Sequence, residues 1–375
     1  MPDVVLASVE IEGEESLVPV DRRKLLAFGG VLAASGVLGN GLPAGADRAW
    51  AGEPVLSHRV TLADVTELEE ATDLVAAWDL RHGGRLAAEQ GMAILRWALR
   101  LLRDDVPGDL RDRWGSAAGY LADWTGWALF DSGRHEAARV AFGRGLELAD
   151  AAADGDLRTQ VLCDLASQAV FCHDPVAALR WVEPVGPRAV APPLVSAVHG
   201  VRAEAYAVLG DHERVWAEID RSEVAATRSA TRPSPHWLSA FRDETGMHAS
   251  TGYAAFLLAR SKTDLTAGRA SAQALSRLSA ATTALAETRV RARLFAHARL
   301  FAHARLAATH LAHPDGDVAT GVDRARRVID QAGSMRSARL SRDLRTLRVA
   351  VVRHEHRGDV RQVGQDVDRL LDLAS

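Results

Sequence analysis

The fold of this chain is decided by residues 120–149, which read YLADWTGWALFDSGRHEAARVAFGRGLELA. Gly126 leaves room for two helices to approach closely, and Gly133 can adopt the left-handed conformation that ends the first helix. We expect Ala138 to pack opposite Gly126, and Phe142 follows it at helical spacing. The stretch therefore predicts two antiparallel helices joined by a tight turn.

This order of small, aromatic and turn residues is typical of a tetratricopeptide repeat. Weaker copies occupy residues 157–182, where Pro175 can open the second helix, and residues 194–222, where Gly210 marks the turn. Consecutive copies of one hairpin pattern indicate a repeat array, in which each unit packs on its neighbours.

The chain after residue 62 extends the same pattern. Its apolar residues follow helical periodicity, without the sustained alternation that strands require. Turns are predicted at Gly268 and at residues 314–316, and residues 337–373 are predicted to cover the open end of the array.

These patterns predict an all-α fold, a tetratricopeptide-like α-solenoid of antiparallel helical hairpins. They also divide the chain in two. Residues 1–58 are expected to be a low-order N-terminal segment and linker with a twin-arginine-like apolar stretch. Residues 59–375 are expected to form the helical repeat domain.

Composition and motifs exclude several classes of function. The formal net charge is −4 and the sequence pI is about 6.4, so no basic surface for nucleic acid is indicated. The sequence has no phosphate-binding glycine loop, GxSxG elbow, HExxH motif or dinucleotide fingerprint. We therefore expect a protein that is not an enzyme and holds no cofactor. Cys163 and Cys172 are expected to be buried structural thiols on opposite faces of one helix.

Three side-chain clusters could carry chemistry, and a structural role is expected for each. The histidines at 303, 310 and 313 lie near one helix face without a cysteine or carboxylate to complete a metal site, so no metal is expected. Residues 237–244 (WLSAFRDE) could line a pocket or pair on a surface. A solvated outer face is expected for the arginines that recur every three residues, with an acidic partner surface as the alternative; they are Arg336, Arg339, Arg342, Arg345 and Arg348.

The N-terminal segment carries a motif that points to export. Arg22 and Arg23 precede an uncharged stretch, and residues 44–46 (AGA) have the small-residue spacing of a signal-peptidase site. The residues before Arg22 are acidic, however, whereas an export signal normally begins with basic residues. Glycines and Pro43 also make the stretch a poor membrane helix, so no membrane anchor is expected.

Three stretches resemble the C-terminal half of actinobacterial helix-turn-helix transcriptional regulators of the Xre type. They are residues 121–149, the helix TQVLCDLASQAV at 159–170 and the turn RAEAYAVLGD at 202–211. In that family a DNA-binding domain precedes a linker and tetratricopeptide repeats, and the linker often reads like Val20-Asp-Arg-Arg23. About sixteen residues precede this linker here, too few for a helix-turn-helix, so DNA binding is not carried over. In that family the two arginines lie in the middle of the chain, where an export signal could not work. The resemblance therefore implies a cytoplasmic location.

The resemblance and the repeats together imply a non-enzymatic regulatory or sensor module that binds a protein or peptide in its concave groove. A small-molecule effector and a homodimer remain open, and the alternative function is a helical-repeat scaffold exported through the twin-arginine pathway. The first helix of each hairpin normally lines the concave surface. The candidate partner-binding residues there are Asp123, Trp127, Phe130, Gln160, Ser167 and Glu204.

Overall fold

The computed structural model describes residues 4–11, 14–21, 59–185, 190–228, 244–261, 265–286, 296–333, 335 and 337–373. In these residues a two-stranded antiparallel hairpin precedes fourteen α-helices. The strands are β1 (Val4–Ile11) and β2 (Glu14–Asp21). The helices are α1 (Leu62–His82), α2 (Gly84–Asp104), α3 (Arg111–Asp131), α4 (His135–Ala151), α5 (Gly155–Phe171), α6 (Pro175–Val182), α7 (Pro192–Leu209), α8 (His212–Ala226), α9 (Glu244–Ser261), α10 (Leu265–Ala286), α11 (Ala296–Ala312), α12 (Val318–Ala332), α13 (Ala338–Val352) and α14 (Gly358–Leu373).

The helices pair in chain order, and the pairs stack. Each odd-numbered helix packs against the even-numbered helix that follows it and against the next odd-numbered helix. In addition, α11 contacts α1 and α13 contacts α3. The last two hairpins of the helical region therefore meet the first two, and the all-α prediction is confirmed for this region.

The hairpin of α3 and α4 has the tight turn that its sequence predicts. Gly133 has a φ of +80°, the left-handed conformation that favours glycine. The close neighbour of Gly126 is the ring of Phe142, since a Cβ at position 126 would lie 2.6 Å from it. Ala138, which we expected opposite Gly126, is fully buried in the same hairpin.

We predict that Gly126→Ala lowers the free energy of unfolding by about 1–3 kcal/mol, because the added methyl group must displace the Phe142 ring. Gly143→Ala in α4 is the matched control, since a Cβ there meets no atom within 4 Å. The control should gain up to about 1 kcal/mol from helix propensity. Chemical denaturation of both variants measures the difference, and equal midpoints would contradict the close approach at Gly126.

The weaker hairpins that the sequence predicts are also present as α5 with α6 and α7 with α8. Pro175 occupies the first turn of α6, and the side chain of Asp174 accepts a hydrogen bond from the amide of Ala177. Gly210 ends α7 in the left-handed conformation, with a φ of +72°. Local turn chemistry therefore determines where these helices begin and end.

Several expectations need correction. Gly268 lies inside α10 rather than at a turn, because α9 ends at Ser261 and α10 already begins at Leu265. Cys163 is buried as expected, but Cys172 is exposed just after α5. The segment expected to have little order contains the hairpin of residues 4–21. The twin-arginine stretch that follows it lies outside the described residues.

Candidate functional site

The meeting point of the two ends of the helical region is built around one arginine. Arg339 in α13 donates a hydrogen bond from Nε to Oδ1 of Asp131 over 2.7 Å. Its guanidinium carbon lies 4.7 Å from the ring centroid of Trp127, 5.0 Å from that of Phe301 and 5.7 Å from that of Phe130. These distances are within the range of cation–π attraction. We call Asp131, Trp127, Phe130 and Phe301 the arginine cage.

The carboxylate of Asp131 in the arginine cage is stabilised by the positive charge of Arg339. Asp131 is the last residue of α3 and its side chain is fully buried. Both burial and the negative end of the helix dipole disfavour a carboxylate at this position. Arg339 supplies the opposite charge, and Ser337 Oγ donates a second hydrogen bond to Oδ1 of Asp131 at 2.6 Å.

Ser337 also determines where α13 begins. Its hydroxyl oxygen accepts a hydrogen bond from the amide of Leu340 at 3.1 Å, which is the usual role of a serine at a helix N-terminus. The same side chain therefore caps α13 and ties it to α3. This double role holds Arg339, two residues further along, over the aromatic rings.

A second carboxyl group lies next to the cage. Asp79 in α1 is only 1% exposed, and neither of its oxygens has a hydrogen-bond partner among the described residues. Burial, and then the charge of Asp131, raise the pKa of Asp79 to about 8, although Arg339 acts in the opposite direction. Two buried carboxyl groups therefore lie near one guanidinium, and the raised pKa favours the protonated form of Asp79 at neutral pH.

A second arginine of α13 fastens it to α5. Arg342 Nη1 donates to the carbonyl oxygen of Phe171 at 2.6 Å, and its guanidinium carbon lies 4.4 Å from the Phe171 ring centroid. Phe171 ends α5, so its carbonyl has no partner within the helix. Arg342 Nη2 also donates to Nε2 of His173 at 3.2 Å. Burial and the charge of Arg342 lower the pKa of His173, which favours the neutral imidazole that can accept this bond.

Further polar contacts connect the interior of the helical region. Arg305 in α11 donates to Oδ2 of Asp343 in α13 at 2.8 Å, and its guanidinium carbon lies 3.7 Å from the ring centroid of Tyr253 in α9. Glu204 in α7 accepts a hydrogen bond from Ser250 Oγ at 2.7 Å. Arg305 and Glu204 thus each have a partner on a neighbouring odd-numbered helix.

The six candidate residues lie on three odd-numbered helices, as expected, but little of them is exposed. Asp123, Trp127 and Phe130 lie on α3, Gln160 and Ser167 on α5, and Glu204 on α7. Phe130, Asp123, Glu204 and Gln160 are buried, with exposures of 1%, 2%, 7% and 8%. Trp127 and Ser167 are half-buried.

Only two of the candidates come together at the arginine cage. The rings of Trp127 and Phe130 are in tilted contact, with centroids 5.5 Å apart. Gln160 instead donates a hydrogen bond to Asp164 within its own helix, and Glu204 binds Ser250. The start of α13 contacts the C-terminal end of α3, so the part of the expected groove next to Trp127 and Phe130 is occupied by the chain itself.

The arginine cage does not follow from the sequence pattern, because a three-residue spacing of arginines predicts a solvated outer face for α13. That prediction is wrong for Arg339 and Arg342, which reach α3 and α5. The alternative, a surface for an acidic partner, is closer to what Arg339 does, since Asp131 is an acidic residue of the same chain. A usable signal was the serine at position 337 before an apolar periodic helix, which marks an N-terminus with a buried face.

The other side-chain clusters singled out in the sequence do not form a functional site in the described residues. In the described chain no group of three or more histidine, cysteine or acidic residues is arranged to hold a metal ion. His303 is buried, and burial followed by the charge of Arg324 lowers its pKa to about 4. Of the segment 237–244, all but Glu244 lies outside the described residues, as does Arg336.

Comparison with models of known protein families gives no match for this chain, and no curated protein shows significant similarity to it. Across the described part of the chain, the helices are too short or too polar to cross a membrane. Proposals about function therefore depend on the arginine cage and its surroundings.

Proposed function

We propose that this chain is a non-enzymatic regulatory or sensor module that binds an arginine-bearing segment of a protein or peptide in the arginine cage. The observation that carries the proposal is the cage itself, three aromatic rings and a buried carboxylate around one guanidinium. A planar guanidinium suits such a site better than an ammonium, because it stacks on rings while it donates hydrogen bonds in their plane.

In the closed chain the cage is filled by Arg339 of α13. An external arginine can enter only when α13 leaves, so closure and partner binding exclude each other. The closed chain and the partner-bound open chain are the two states of a switch. A partner that binds only the open chain shifts the equilibrium towards it. The last hairpin then acts as an internal competitor for the partner.

The stacking of odd-numbered helices supports a tetratricopeptide-like solenoid that curls until its ends meet. The resemblance to repeat regions of helix-turn-helix regulators supports a regulatory role in the cytoplasm. A separate DNA-binding protein is one partner that fits this role. The exported scaffold remains the alternative, and it depends on Arg22 and Arg23, which lie outside the described residues.

A peptide that copies the start of α13 tests the proposal. The probe is residues 337–348 (SARLSRDLRTLR), and the control peptide has glutamine in place of the Arg339 equivalent. We expect the probe to bind full-length Arg339→Ala at least about tenfold more tightly than it binds the wild-type chain, because the variant leaves the cage empty. Fluorescence anisotropy of the labelled peptides measures both affinities.

A milder variant keeps the test informative if Arg339→Ala does not fold. Arg342→Gln leaves the cage intact but removes the hydrogen bond to Phe171, which is worth about 1 kcal/mol. The open state should then be about fivefold more populated and the probe should bind about fivefold more tightly. The proposal fails if neither variant binds the probe, or if the control peptide binds as well as the probe.

Cross-linking in cells of the native host tests the compartment as well. The Arg342→Gln chain should capture more of a discrete protein partner than wild type, and the adduct should be in the cytoplasmic fraction with Arg22 and Arg23 retained. An adduct outside the cell membrane, on a chain that begins near Asp47, would instead favour the exported scaffold.

A further inference from the structure

We infer that the chain has a second site, which binds a phosphate-bearing small molecule where the first and last hairpins meet. A cleft of about 440 Å³ lies there, a size typical of small-molecule sites. It lies between the start of α2, the turn from α3 to α4 and the start of α13. Its charged and hydroxyl-bearing lining consists of Arg85, Glu89, Asp131, Ser132, Arg134, Ser337, Ser341 and Arg345.

The balance of charge in the cleft favours an anion. Both acidic residues of the lining already have cations, since Glu89 binds Arg134 at 2.7 Å and Asp131 binds Arg339 outside the lining. Arg85 and Arg345 are exposed, and neither has an acidic partner within the described part of the chain. Two guanidinium groups therefore face the cleft without an ion-pair partner among the described residues.

The start of α13 adds donors of the kind that phosphate groups bind. Ala338, the first residue of this fifteen-residue helix, lines the cleft, so the positive end of the helix dipole lies beside it. Ser341, one turn further on, contributes a hydroxyl group. A phosphate has three terminal oxygens and can accept from guanidinium, hydroxyl and amide donors together, whereas a carboxylate has two.

The position of the cleft gives the ligand a regulatory effect, and this part of the inference rests on the proposed function. Arg85 belongs to the first repeats, whereas Ser341 and Arg345 belong to α13. A ligand that contacts both sides binds only when the ends of the helical region meet. It therefore stabilises the closed chain and opposes entry of an external arginine into the cage.

Titration of the full-length chain with inorganic pyrophosphate tests the site directly. By calorimetry, Arg85→Gln and Arg345→Gln should each weaken binding by about tenfold or more. Arg326→Gln removes one exposed arginine of α12 outside the cleft, so its affinity should stay within about twofold of wild type. Absence of pyrophosphate binding, equal losses in all three variants, or equally tight binding of succinate would overturn the site.

A second titration tests the regulatory effect separately. The probe here is the 337–348 peptide with alanine at the positions equivalent to Ser341 and Arg345, so that it cannot rebuild the cleft when it binds. Saturating pyrophosphate should weaken binding of this peptide to Arg342→Gln by about fivefold or more, because pyrophosphate holds the ends together. Unchanged peptide affinity would overturn the coupling. The calorimetric titration uses no peptide, so a failure of the phosphate site and a failure of the arginine cage give different results.

Discussion

Replacement of Arg339 by alanine is expected to lower the free energy of unfolding by about 3–5 kcal/mol, because it leaves a buried carboxylate without its cation. Asp131 is fully buried, and Ser337, which also binds it, is uncharged. The variant also loses the contacts with the rings of Trp127 and Phe301. Urea denaturation of the full-length chain, followed by circular dichroism, measures the loss.

Two controls separate the buried pair from a general effect of losing an arginine. Arg326→Ala removes an exposed arginine and should change stability by less than about 0.5 kcal/mol. The double variant Asp131→Asn with Arg339→Met removes both charges, so it should be more stable than Arg339→Ala alone. If Arg339→Ala is as mild as the exposed control, the cage does not hold the chain closed.

The sequence predicted those parts of the fold that depend on short-range chemistry. The hairpin of residues 120–149 could be recognised because Gly126 and Gly133 are needed within that hairpin, for a close approach and for a left-handed turn. Gly268 misled the prediction because a glycine inside a helix costs only about 1 kcal/mol, so its presence does not require a turn.

The site could be predicted only in part, because its two halves are far apart in the sequence. The repeat pattern placed Trp127 and Phe130 on an inner helix, and both line the arginine cage. Their partner Arg339 lies 208 residues after Asp131. A three-residue spacing places arginines on one face of α13, but only the packing of α13 against helices far away in the sequence determines what that face contacts.

Replacement of Asp79 by asparagine is expected to stabilise the chain in a pH-dependent manner. Burial and the charge of Asp131 raise the pKa of Asp79 to about 8 in the folded chain, whereas its ordinary value is 3.8. Between these values the folded chain binds more protons than the unfolded chain, so wild-type stability falls as pH rises from about 4 to about 8. Asparagine has no proton to lose, so this contribution to the fall is absent from the variant.

The stability advantage of Asp79→Asn over wild type should therefore grow by about 2–4 kcal/mol between pH 5 and pH 8. The cost of burying an asparagine amide without partners is the same at both pH values, so it cancels from this comparison. Asp330→Asn in α12 changes an exposed carboxylate and should show no such growth. Denaturant midpoints of wild type and both variants at pH 5 and pH 8 measure these differences in stability. A constant difference between Asp79→Asn and wild type would mean that Asp79 is ionised beside Asp131, with Arg339 compensating both charges.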